Sequence, residues 1–131
     1  MKKLVLYNWN RIAIMEWSDF QIGKDSIAQH IDFETFISKS IFNARIAIHT
    51  SMGSLLNFQS DIVRLLNLNG SHAVFKSSDN ILKIELRDDL AGHVFQSIEL
   101  KTDDFNVLTI NDYFDKTFLS ELITDINNII Y

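Results

Sequence analysis

Residues 81–101 read "ILKIELRDDLAGHVFQSIELK", and this stretch decides the fold class. Its first part alternates without exception, with Leu82, Ile84 and Leu86 on one side and Lys83, Glu85 and Arg87 on the other. A period of two places alternate side chains on opposite faces of a strand, one for a core and one for water. The last part, residues 93–101, repeats the pattern with Val94, Ile98 and Leu100. Between them, residues 88–92 have the length of a hairpin loop, and Gly92 can take the positive φ that its exit needs. Asp88 and Asp89 are turn formers in this setting. Asp89 stands within hydrogen-bonding reach of His93 across the turn, a local clasp rather than a catalytic pair. Two amphipathic strands joined this way pair antiparallel.

Outward from this hairpin, "SHAVFKS" (71–77) and "FNVLTIN" (105–111) add a strand on each side, which makes a meander. The first half reads similarly. "KLVLYNW" and "RIAIMEW" are separated by little more than Asn10. "IDFETFIS" aligns Ile31, Phe33, Thr35 and Ile37 on one face. "IFNARIAIHT" aligns Phe42, Ala44, Ile46 and Ile48 against Asn43, Arg45, Ala47 and His49. Two segments change to a helical period. Leu55, Phe58, Ile62 and Leu65 recur at three and four over residues 55–68, with Ser54 as N-cap and Asn69-Gly70 as stop. Leu119, Leu122, Ile123, Ile126 and Ile130 do so over residues 117–130, with Asp115 or Thr117 as cap. The expectation is an α+β domain spanning residues 1–131. It has a largely antiparallel sheet of about seven to eight strands, with two amphipathic helices packed on one face.

The composition agrees with one domain. The chain has 131 residues, 47% of them hydrophobic, with ten phenylalanines. A chain of that size buries about two thirds of its unfolded surface. The absence of cysteine excludes disulfides, thiolate metal sites and cysteine nucleophiles. The apolar run at Leu4–Leu6 is too short for a signal peptide, and no segment approaches the roughly 18 apolar residues of a membrane span. A cytoplasmic protein with no membrane association is expected.

No catalytic pattern emerges. The four histidines, His30, His49, His72 and His93, have no second ligand at helical metal spacing. The four glycines are isolated, so there is no phosphate loop and no nucleophile elbow. Adjacent acids on a strand point to opposite faces, and a calcium loop needs further oxygens at fixed spacing. Trp9 and Trp17 have only Arg11 between them, which suits packing better than base stacking. The expectation is therefore no enzyme, no cofactor and no metal.

The net charge of −5 lies wholly in the last quarter, since acidic and basic residues balance before Glu99. Such a face disfavours nucleic acid and suits a basic protein partner. Asp103, Asp104, Asp112, Asp115 and Glu121 are the candidate partner-binding residues.

From Phe42 onward the chain resembles a known family. The strand "IFNARIAIHT" is followed by the helix "LLNFQSDIVRLL", a strand after Gly70, the turn "LRDDLAGHV" and the closing "DYFDKTFLSELITDINNII". That order, with Asp115, Thr117, Phe118 and Leu119 leading into an amphipathic helix, is similar to the WapI family of bacterial immunity proteins. The resemblance implies a non-enzymatic inhibitor that binds the toxic C-terminal domain of a large secreted toxin inside the cell. The alternative is a small-ligand or lipid-binding module with an apolar cavity between sheet and helices.

Overall fold

A computed structural model describes residues 2–24, 29–39, 42–101 and 106–131. The α+β class holds, and the eight strands divide into two four-stranded antiparallel sheets. The first sheet contains β1 (Leu4–Tyr7), β2 (Ala13–Lys24), β3 (Gln29–Lys39) and β4 (Phe42–Ser51), paired in chain order. Helix α1 (Met52–Asn67) follows. The second sheet contains β5 (His72–Lys76), β6 (Leu82–Asp88), β7 (His93–Lys101) and β8 (Val107–Asp115), again in chain order. A 3-10 turn, Lys116–Phe118, then leads into α2 (Leu119–Ile130).

The halves thus repeat one arrangement of four meandering strands and a helix, a repeat the sequence does not display. Each helix packs chiefly along an edge strand of the other half, α1 on β5 and α2 on β1, and the two helices touch.

The alternating patterns fold as their period requires. Ile31, Phe33, Thr35 and Ile37 all face inward and are buried, as are Leu82, Ile84 and Leu86. Ile48 is buried and Ala44 and Ile46 pack half-buried beside it; the side chain of Phe42 lies outside the described residues. In α1 the predicted stripe is buried with Met52 added, because the helix starts earlier. Its cap is Ser51, not Ser54: the Ser51 hydroxyl accepts from Ser54 N at 3.0 Å, so β4 runs into the helix with no loop. In α2 the buried stripe ends on Ile129 instead of Ile130.

One apolar core joins both sheets and both helices. Its middle is a run of rings. Phe20 meets Phe33 at 5.5 Å, Phe33 stacks on Trp17 at 4.3 Å, Trp17 touches Phe75 of β5 at 5.0 Å, and Phe75 meets Phe58 of α1 at 5.5 Å. Ring pairs at these separations add to the area they bury. A bulge in β2 sets Asp19 and Phe20 together opposite Phe33, and Asp19 takes φ +55°, a conformation that aspartate tolerates better than most residues. The buried Gln96 on β7 donates to the Tyr7 carbonyl at 2.7 Å, a polar tie between the sheets.

Candidate protein-binding surface

The hairpin read first in the sequence builds one corner of the molecule. Asp89 is its organiser. Its Oδ1 accepts from Ala91 N at 2.8 Å and His93 N at 3.0 Å, and its Oδ2 lies 3.0 Å from His93 Nδ1. The backbone closes the same loop through Asp89 N to His93 O at 3.1 Å. Leu90 and Gly92 take φ +65° and +88°, so the glycine does what its position predicts. The clasp between Asp89 and His93 forms as expected. It leaves Leu90 on the surface with 71% of its area exposed.

His93 and Phe95 lie on the solvent side of β7, opposite Asp115 and Tyr113 of β8. Phe95 and Tyr113 meet edge-on at 5.2 Å. From the first sheet, the turn between β1 and β2 brings Trp9 edge-on to the His93 ring at 4.8 Å. Core or half-buried packing was expected for both tryptophans, and Trp17 is fully buried. Trp9 keeps 52% of its surface exposed, and Tyr113 keeps 47%. In the same turn Arg11 takes φ +63° and lays its guanidinium over Tyr7 and Phe118, 4.6 and 4.0 Å from the ring centres. It also pairs with both carboxylate oxygens of Glu121, at 3.2 and 3.3 Å.

The corner is anionic beside these rings. The Ala91 N–H holds the Asp89 carboxyl below the usual range, with help from His93. The Thr117 N–H and hydroxyl, at 2.9 and 2.8 Å, do the same for Asp115. Both are charged at neutral pH. Exposed Trp and Tyr rimmed by fixed charges make the composition that dominates protein interfaces.

The acidic residues singled out from sequence do not form one free face. Asp103 and Asp104 lie outside the described residues. Glu121 is engaged by Arg11, and Asp115 caps the 3-10 turn that precedes α2. Asp112 lies on the inward side of β8, half-buried at the sheet edge, and its Oδ1 accepts from Tyr113 N at 2.7 Å. Asp115 flanks the aromatic corner, whereas Trp9, Phe95 and Tyr113 carry it and were not among the candidate partner-binding residues. The alternation of β7 was a signal for Phe95. It places that ring on the polar face, away from Val94 and Ile98.

Elsewhere the depressions are shallow. The solvent face of the first sheet holds one lined by Asp19, Gln21, Asp32, Glu34 and His49. There His49 Nδ1 approaches Asp32 at 2.6 Å, which raises the imidazole above its usual range. A cleft between β1 and α2, lined by Leu6, Tyr7, Phe114, Phe118 and Leu122, has room for only about 10 Å³. No three His, Asp or Glu side chains among the described residues converge as a metal site. No helix among them is long and apolar enough to cross a membrane. Comparisons with protein families, curated proteins and solved structures find no match to this chain.

Proposed function

We propose that this chain acts by binding: an immunity protein that occupies the toxic domain of a cognate bacterial toxin in the cytoplasm of the cell that makes both. The observation that carries this reading is the corner itself. Trp9 and Tyr113 stand in water while the core nearby is filled, and leaving aromatic area exposed forgoes the stabilisation that burial gives. A partner that covers them recovers it. The carboxylates of Asp89 and Asp115 beside the rings favour a basic partner, which speeds encounter and sets orientation. The resemblance of residues 42–131 to the WapI family supports the same conclusion. A ligand-binding cavity between sheet and helices has less support, because the cleft of about 10 Å³ barely holds one water.

The test is co-expression with the C-terminal toxin domain encoded by the neighbouring gene. The chain should restore growth and form a complex with that domain. Trp9→Ala and Tyr113→Ala should each weaken the complex by about tenfold or more, as central aromatic anchors do. Charge reversal at Asp103, Asp104 and Asp112 should slow association and flatten its salt dependence. Unchanged growth arrest with the wild-type chain present would overturn the proposal.

A further inference from the structure

The edges of the two sheets differ in what covers them. β1 has four residues and lies beside α2, and its Val5 N–H donates to Asp125 Oδ2 at 3.3 Å. β5 lies beside α1. The end of β4 is closed by the β5–β6 turn, where His49 N donates to Asp79 Oδ2 at 2.8 Å and Ser51 N to Ser78 Oγ at 3.2 Å. The rest of β4 carries Arg45 on its solvent side, and a cation on an edge discourages a basic strand.

β8 is different. It runs nine residues, in unbroken register with β7, and pairs with no strand on its other side among the described residues. It contains neither proline, lysine nor arginine. The hydrogen bond from Tyr113 N to the Asp112 side chain shows that the Tyr113 amide points to the free edge. With a period of two, the amides of Thr109 and Asn111 point the same way. Asp112 thus holds its carboxylate where the carbonyl of an added strand would accept from Tyr113.

From this we propose that the outer edge of β8 is a strand-addition site for an extended, basic segment of a partner protein. The site deepens the binding reading above and rests on it for the partner's identity. The carbonyl of the incoming strand replaces the Asp112 carboxylate on Tyr113 N. The freed Asp112 carboxylate then meets a lysine or arginine side chain of that strand. Main-chain bonds supply affinity in this mode, and the side chains supply selectivity. A second copy of this chain fits poorly. Antiparallel self-pairing centred on Asn111 sets each Asp112 against Ile110 and brings the two Asp112 carboxylates near each other, which is unfavourable.

The test needs no toxin, so it can fail without affecting neutralisation, and neutralisation can fail without affecting it. The probes are three synthetic peptides as long as β8: one alternating valine with lysine, one alternating valine with glutamate, and the lysine peptide N-methylated on every amide. The full chain is followed by amide NMR. The lysine peptide should shift Thr109, Asn111 and Tyr113, and should bind about tenfold or more tighter than the other two, since each loses charge pairing or main-chain bonds. Asn111→Pro should abolish those shifts while leaving the β7 amides in place, because the amide it removes faces away from β7. Equal binding of the N-methylated peptide, or shifts centred on Asn43 and Ala47, would overturn the proposal. So would a concentration-dependent dimer of the chain that Asn111→Pro dissolves.

Discussion

Removing the Asp88 carboxylate should loosen the binding corner and the chain as a whole. Asp88 ends β6 facing inward, with only 1% of its side chain exposed. It lies just beneath the surface, shielded from water but not deep. Its oxygens accept from Leu90 N at 2.9 Å, Gly70 N at 3.0 Å and Lys116 Nζ at 3.0 Å. One side chain thus ties the connection after α1, the β6–β7 turn and the start of the 3-10 turn. In Asp88→Ala the two amides lose their acceptor at about 1 kcal/mol each, while Lys116 turns to Asn69 and water at a fraction of that, so the loss is about 2 to 3 kcal/mol. Asp88→Asn keeps one acceptor oxygen and should lose about 1 kcal/mol. At about 3 °C per kcal/mol for a chain of this length, the alanine variant should melt about 6 to 9 °C lower. Urea unfolding with an unchanged m-value measures this directly. The pH dependence supplies a second check. The Leu90 amide, then the Gly70 amide and Lys116, hold the Asp88 carboxyl below its usual range. A depressed folded-state pKa gives stability that is full above the unfolded value of about 3.9 and is lost as pH falls through the folded one. The gap between wild type and Asp88→Asn should therefore be constant near neutrality and shrink in acid. An alanine variant within about 0.5 kcal/mol of wild type would refute the anchoring role.

Other consequences are more local. Thr35 lies opposite Trp17 and is fully buried, and its hydroxyl has no hydrogen-bond partner among the described residues. Thr35→Val keeps the shape and removes the orphaned group, so it should raise stability by about 1 kcal/mol in urea unfolding. Gly92 has open space where a Cβ would stand, yet holds φ +88°. Gly92→Ala should therefore cost about 1 kcal/mol from backbone strain alone, and Gly92→Asn less, measured by the same assay. The hydrogen bond that His49 Nδ1 donates to the Asp32 carboxylate raises the His49 pKa from 6.5. The small stabilisation it gives is complete below the unfolded value and lost as pH rises through the folded one. An NMR titration should place the His49 midpoint above 6.5, and Asp32→Asn should lower it.

Strand faces were legible in the sequence because a period of two can be read residue by residue. Ile31 to Ile37 and Leu82 to Leu86 are buried as that period requires. What alternation does not encode is which strands are neighbours, so the split into two sheets on either side of α1 was hidden. The end of β8 was hidden for another reason. Residues 111–115, "NDYFD", carry turn formers, but the Asp112 carboxylate satisfies the Tyr113 amide locally and lets the strand continue. Asp88 had a turn former's identity but became a buried anchor, because Lys116 and Gly70 arrive from 28 and 18 residues away. Of the binding corner, the clasp between Asp89 and His93 was local and could be read. The exposure of Trp9 depends on how the β1–β2 turn meets the other half.

The repeated arrangement also explains why the corner and the open edge coincide. In the first half, the end of β4 is closed by the β5–β6 turn through Ser78 and Asp79. The equivalent element for β8 is the β1–β2 turn of the other half. That turn does reach the corresponding end, but it engages His93 through Trp9, and Phe118 and Glu121 through Arg11. It touches the end of the sheet and the start of α2 and makes no bond to the amides of Thr109, Asn111 or Tyr113. Among the described residues no further turn covers that length. The closure that protects β4 thus becomes, at β8, an aromatic wall standing beside an unpaired strand. A partner strand laid on β8 would pass Tyr113 and Asp115, the cross-strand neighbours of Phe95 and of the His93 that Trp9 meets, so its main chain and its apolar side chains would be recognised at adjoining places. Strand addition and aromatic anchoring are then two parts of one interface, and Asn111→Pro combined with Trp9→Ala should weaken a strand-adding partner by more than either change alone.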